Sequence, residues 1–121
     1  MILRIWRTEV QTGRATDYEH FAMTRSLPMF RRQSGCRGVL LAEHSGERIA
    51  ITLWEDQEAV ARLEESADYL QTVRALLDSG ILQGDQATRV YGAAAGFLDP
   101  QMPLIGSPTS QLLRPEDDSV Q

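Results

Sequence analysis

An α+β fold is predicted by three features of this 121-residue chain. Four segments alternate in hydropathy with the period of a strand, two carry helical spacing, and they follow one another as strand–helix–strand–strand–helix–strand. That order is the split βαβ, ferredoxin-like βαββαβ arrangement, an antiparallel four-stranded sheet with its helices on one face.

The first strand is Ile2–Val10, where Ile2, Arg4, Trp6 and Thr8 point one way and Leu3, Ile5, Arg7 and Glu9 the other. Gln11-Thr12-Gly13 breaks it. Thr16 stands where a helix cap is needed, with Glu19 three residues on completing a capping box. From Asp17 to Gln33 the apolar residues Tyr18, Phe21, Ala22, Met29 and Phe30 fall near helical spacing. Pro28 has no N–H to give the helix and is expected to kink or split it. Ser34-Gly35 closes the segment, and Cys36–Glu43 is the second strand. Ser45-Gly46 signals a hairpin into the third strand, Arg48–Trp54. Asp56 caps a helix running to Glu65 with Ala59, Val60 and Leu63 inward, and Ser66 and Asp68 restart it from Tyr69 to Leu77. Asp78-Ser79-Gly80 ends that helix, and Gln86–Tyr91 is the last strand.

The folded domain is therefore expected over residues 1–92. Residues 93–121 read as an extended or partly disordered C-terminal arm, with Pro100, Pro103, Pro108 and Pro115 and an acidic end at Glu116-Asp117-Asp118. Phe97, Leu98, Met102, Leu104, Ile105 and Leu112-Leu113 make it more apolar than a solvating tail needs, so part of it is expected to dock on its own domain or a partner subunit.

Composition removes several functions. The net charge is −5 and all twelve basic residues are arginine, so no lysine is available as a Schiff base, a phosphate ligand or a general base. An acidic balance with scattered arginines argues against nucleic-acid binding, which needs a basic stripe. Cys36 is the only cysteine and His20 and His44 lie far apart, so no zinc pattern forms and neither metal nor cofactor is expected. No apolar run approaches the roughly 20 residues of a membrane span. The start, Met-Ile-Leu-Arg-Ile-Trp-Arg, is too charged for a secretory signal, and a cytoplasmic protein is expected.

Both faces of the sheet are apolar. Ile5, Val39, Leu41, Ile51 and Leu53 cannot all lie toward the helices together with Trp6, Leu40 and Trp54. A face of that kind wants a second sheet, and a homodimer packed through the sheet faces supplies one.

Three stretches carry a family resemblance: Arg4-Ile5-Trp6-Arg7 in the first strand, Gly35-Cys36-Arg37-Gly38 opening the second, and Leu53-Trp54-Glu55-Asp56 closing the third. With the order of elements, they resemble the antibiotic-biosynthesis-monooxygenase-like superfamily of dimeric α/β barrels, over about Met1 to Gly92. The resemblance implies a pocket between sheet and helices in which phenols are oxidised by dioxygen without a cofactor. The family's pocket tryptophan falls on Trp54 and its arginine on Arg74, while its asparagine and tyrosine positions hold Ala50 and Val60. Haem-degrading relatives use positions that here hold Trp6, Leu63 and Val73, so the histidine ligand has no counterpart.

The candidate site follows. Trp54 would position a flat ring or serve as a core tryptophan, and Arg74 would stabilise an anion or pair with Asp78 on the helix surface. These two are the catalytic candidates. Trp6, Tyr69, His20 and His44 are the substrate-contact candidates, each with a plain structural alternative. The expected function is a cofactor-independent monooxygenase acting on a small aromatic phenol or hydroquinone. The alternative is a non-catalytic dimeric module that binds a small ligand or a protein.

Overall fold

Strand β1 (Ile2–Val10) is the hub of the sheet: it pairs with β3 (Glu47–Trp54) on one side and β4 (Leu82–Gly92) on the other. Strand β2 (Cys36–His44) pairs with β3, so the order is β2-β3-β1-β4 with every pair antiparallel. This is the predicted ferredoxin-like sheet. The computed structural model describes residues 1–102; the expected docking of Leu104, Ile105 and Leu112-Leu113, and the acidic end, lie outside the described residues. Ala93 to Met102 are exposed, with Phe97, Leu98 and Met102 presented to solvent.

The strand periodicity places residues as the alternation requires. Ile2, Arg4, Thr8 and Val10 of β1 and Arg48, Ala50, Thr52 and Trp54 of β3 are buried under the helices. Three cross-strand rungs order this face: Arg4 opposite Thr52, Trp6 opposite Ala50, and Thr8 opposite Arg48. On β2 a register shift between Cys36 and Gly38 sets Val39 beside Thr52 and Leu41 beside Ala50, so Val39 and Leu41 face the helices. Leu40 then joins Ile5, Ile51, Leu3, Leu53 and Ile49 on the opposite, open face. Strand β4 starts four residues earlier than Gln86, and an irregularity between Arg7 and Glu9 of β1 absorbs the extra pairing.

The helical side departs from expectation at its first cap. Helix α1 (Ala15–Phe21) begins at Ala15 with Arg14 at the cap position and no side-chain cap. The Arg14 amide bonds back to the Gln11 carbonyl, which starts the turn early and leaves Thr16 inside the first turn rather than capping it. The expected division of the helix near Pro28 is present. The chain widens into a π-turn over Ala22–Ser26, in which the Leu27 amide reaches back to Ala22, before α2 (Leu27–Arg31) resumes with Pro28 in its first turn. A wide turn relieves the missing N–H and ring clash of proline without breaking the rod.

Helices α3 (Gln57–Glu65) and α4 (Ala67–Asp78) are capped as their sequences specify. The Ala59 amide donates to Asp56 Oδ1 at 2.9 Å, and the Tyr69 amide to Ser66 Oγ at 3.3 Å. Gly35, at φ +84°, lies so near α3 that an added Cβ would sit 2.6 Å from Ala59 Cβ. Only glycine fits that turn at that approach.

Two apolar clusters fill the space between the layers. One gathers Ile2, Met29, Phe30, Ala59, Val60 and Leu63 around Trp54; the other joins Val10, Tyr18, Ala22, Leu76 and Ile81.

Candidate functional site

Where the two clusters meet, over the Trp6–Ala50 rung, the packing leaves a cavity of about 40 Å³. Its floor is Trp6, Ala50 and Leu41 on the sheet; Met29, Phe30 and Leu76 close it from the helices. Ala50 is the reason for the gap: a methyl group there leaves the space that a larger strand residue would fill.

A charged group stands in this apolar wall. Arg4 is 4% exposed. Its Nε donates to Glu64 Oε2 at 3.1 Å and its Nη2 donates to the Tyr69 hydroxyl at 2.8 Å. Its guanidinium carbon also lies 5.2 Å from the Tyr69 ring centre. A guanidinium has five N–H donors, so these two bonds leave others unpaired among the described residues. Glu64 is about half exposed while Arg4 lies deep. The cavity therefore combines a mostly apolar lining with a buried cation in its wall.

The predicted site residues are distributed as follows. Trp6 and Tyr69 line the cavity. Trp54 is wholly buried in the neighbouring cluster, outside the cavity lining; its indole N–H donates to Thr52 Oγ1 at 2.7 Å and Phe30 meets it edge-on at 6.5 Å. Trp54 pairs across the sheet with Ile2 and Trp6 with Ala50, so the two tryptophans belong to separate clusters and form no shared slot. Arg74 is exposed on α4 and does not line the cavity, although its neighbours Thr72 and Val73 do. His20 is exposed on α1 beside an outer hollow shared with Arg14 and Phe21, and His44 is exposed at the end of β2. Among the described residues no three of His, Cys, Asp and Glu are grouped to hold a metal.

Arg4 and Ser26 also line the cavity, and the sequence names neither as a site residue; Tyr18, an amphipathic ring suited equally to a pocket edge or a core edge, lines it as well. Arg4 had a legible signal: a charge on the strand face shared by Ile2, Trp6 and Thr8, the face that must meet the helices. Ser26 had none, because its place depends on the extra residue in the π-turn.

The fold has solved counterparts. SnoaB, a cofactor-independent oxygenase from Streptomyces nogalater, matches at 19% identity with a TM-score of 0.67, over 81% of this chain and 97% of that one. Rv0793 from Mycobacterium tuberculosis matches at 18% identity and TM-score 0.65, over 78% and 96% of the two chains. A Deinococcus radiodurans protein whose name assigns it to the antibiotic biosynthesis monooxygenases matches at 16% identity and TM-score 0.68, over 82% and 98%. The chain has the antibiotic-biosynthesis-monooxygenase-like fold. No family model and no curated protein matches the sequence. What this fold provides here is a sheet-to-helix cavity whose polar end is built from Arg4 and Tyr69, while the positions of the resemblance, Trp54 and Arg74, lie beside it. No helix among the described residues is long and apolar enough to cross a membrane.

Proposed function

We propose that the protein is a cofactor-independent monooxygenase for a small aromatic phenol or hydroquinone, bound in the cavity against Trp6 with its oxygen toward Arg4. The observation that carries this reading is the buried Arg4 guanidinium in a mostly apolar lining. A fixed cation in a low-dielectric site favours a phenolate over its neutral form. The electron-rich carbanion form of that anion reduces dioxygen directly. In the keto form of such a ring, a CH₂ becomes C=O; one oxygen atom enters the product and the other leaves with the two hydrogens as water. Arg4 holds the negative charge through the electron transfer, and the apolar wall excludes water.

At about 40 Å³ the cavity is smaller than the roughly 150 Å³ that houses benzene in an engineered protein. A ring is admitted when wall side chains swing aside; Met29, with its flexible thioether, and half-buried Trp6 are placed to do so. The same small volume favours a second reading, a non-catalytic module that takes a small ligand. Oxygen-electrode and quinone-absorbance assays with anthrone, whose CH₂ would become the second carbonyl of anthraquinone, separate the two. Oxygen uptake with quinone formation supports the enzyme; saturable binding without uptake supports the module; neither outcome ends both. Ala50→Leu should abolish binding and turnover by filling the cavity, with Ala50→Val losing about tenfold. Overpacking costs about 1–3 kcal/mol, so circular dichroism must show both variants folded before activity is compared.

The open sheet face supports self-association as part of this proposal. Leu40, Ile51 and Ile5 form one row across β2, β3 and β1, and Leu53 with Leu3 forms the next, ending on Tyr91 of β4. A contiguous apolar patch at the centre of a sheet is rarely left to water. A second copy packed on it in an isologous dimer is the simplest cover. Light scattering should give twice 13.5 kDa, and Ile51→Asp, a charge at the middle of the row, should return the monomer mass. A monomeric wild type at micromolar concentration would remove the dimer from the proposal.

A further inference from the structure

The cavity wall is thin along one seam, and an ion pair ties that seam shut. Among the lining residues of the π-turn, α2 and α4, Met29, Phe30, Thr72 and Leu76 are buried, while Ser26, Tyr69 and Val73 are only half-buried. The lining thus reaches the surface where the π-turn and α2 meet the first turns of α4. There Phe30 of α2 faces Tyr69 of α4, with ring centres 6.5 Å apart and planes tilted by 46°. Asp68 precedes Tyr69 and Arg32 follows closely on Phe30, and these two join the same pair of helices. Arg32 Nε donates to Asp68 Oδ2 and its Nη2 to Asp68 Oδ1, both at 2.9 Å, a parallel fork. Gln33 Nε2 crosses the seam as well, with the Met29 carbonyl at 3.2 Å and Asp68 Oδ2 at 3.4 Å. Hydrogen bonding from Arg32, with a further contribution from the charges of Arg32 and Arg25, holds the Asp68 carboxyl below the ordinary carboxylate range, so the pair is ionised at neutral pH.

The two sides of the seam are held unequally. Helix α2 is anchored, because Met29 and Phe30 are part of the cluster around Trp54. The first turn of α4 is lightly packed: Ala67 and Leu70 are exposed, and Tyr69 lies against the edge of that cluster. Ser66, extended at φ −70° and ψ 128°, separates this turn from α3, while buried Thr72 and Leu76 hold the rest of α4. An extended residue at the end of an element is where a small rotation is absorbed. Such a rotation takes Tyr69 away from Phe30 and from Arg4 Nη2, which widens the cavity and frees an Arg4 donor for an incoming ligand.

We infer that the Arg32–Asp68 pair is a clasp on ligand entry: the ring passes between Phe30 and Tyr69 when the clasp parts, and the clasp closes again over the bound ring. This rests on the cavity reading above, since a cavity of about 40 Å³ has to open before it takes a ring. The seam joins a hinge at Ser66, a lightly packed first turn and a tie that solvent reaches, Arg32 and Asp68 being 58% and 38% exposed. An exposed pair shifts an equilibrium by only about two- to fivefold, a strength suited to a gate that opens often.

Stopped-flow mixing of the full chain with 1-naphthol in the absence of oxygen, followed by tryptophan fluorescence, tests the clasp. Asp68→Asn and Arg32→Gln, one on each side of the seam, should each raise both the association and the dissociation rate constants by about two- to fivefold. Kd should stay as in wild type, because a gate that recloses changes both rates and leaves their ratio alone. The double variant should be no faster than either single one, since both remove the same pair. Raising the salt to about 1 M should speed entry into wild type in the same way and leave Asp68→Asn unaffected. Association rates unchanged in either variant, single effects that multiply in the double variant, or weaker affinity with unaltered entry would each overturn the clasp while leaving the cavity reading intact. Failure of 1-naphthol to bind wild type would end the cavity reading, and this inference with it.

Discussion

Arg4→Met should leave the protein folded and lower turnover of a phenolic substrate by about a hundredfold, the loss typical when one fixed anion-stabilising donor is removed. Methionine matches much of the arginine stem and puts no polar atom into the wall. The pair it dismantles is lopsided: Glu64 is 47% exposed and regains water when its partner is gone. Stability should therefore change by about 1 kcal/mol or less, since an apolar substitute of similar volume often matches a buried ion pair. The decisive readout is the ionisation of bound 1-naphthol. In wild type the cation favours the anion, so the bound phenol should ionise below its free pKa and show naphtholate absorbance where the free ligand is neutral. In Arg4→Met that downward shift should vanish. Arg4→Lys keeps the charge but cannot hold Glu64 and Tyr69 together with one planar fork, so it should fall between the two. Arg74→Ala, on the exposed side of α4, is the control and should behave as wild type. Unchanged ligand ionisation in Arg4→Met would remove Arg4 from the proposal.

The fold was legible because its signals are local. Alternation in Ile2–Val10 and Arg48–Trp54, the Asp56 cap and the Ser45-Gly46 hairpin each depend on a few neighbouring residues, and each sits where the sequence places it. The capping box at Thr16 failed for an equally local reason, since the Gln11–Arg14 turn competes for the helix start and wins. The cavity was harder to see because it is made by absence. Ala50 matters for what it leaves out, and what surrounds the gap comes from β1, β2, the π-turn and α4, stretches far apart in the chain. The Trp54-Glu55-Asp56 junction leads to residues beside the cavity, outside its lining. The wall itself was written in the strand-face rule, which puts Arg4 beside Trp6 on the helix side. A charge on that face was the clue to the polar end, and it needed no resemblance to be read.

Trp54→Ala should be the most destabilising single change, costing about 3–5 kcal/mol. That is a large part of the roughly 5–15 kcal/mol that holds a domain together. The side chain is fully enclosed, packs edge-on against Phe30, and joins a short relay: its indole N–H donates to Thr52 Oγ1, and that hydroxyl donates to the Arg4 carbonyl at 3.2 Å. Through Thr52 the tryptophan fixes the strand segment from which Arg4 projects, and so acts on the site as a positioning residue. Trp54→Phe tests this against direct contact with the ligand. Phenylalanine keeps the aromatic packing and loses the indole N–H and one ring, so chemical denaturation should show a loss of about 1–2 kcal/mol. If Trp54 works through packing, the folded Trp54→Phe protein should keep its affinity for 1-naphthol and its turnover within a few-fold. The activity lost in Trp54→Ala should then track the fraction unfolded as temperature is raised. A Trp54→Phe protein as stable as wild type but unable to bind the ring would instead put Trp54 in contact with the ligand, and the cavity would have to open through Phe30 to reach it.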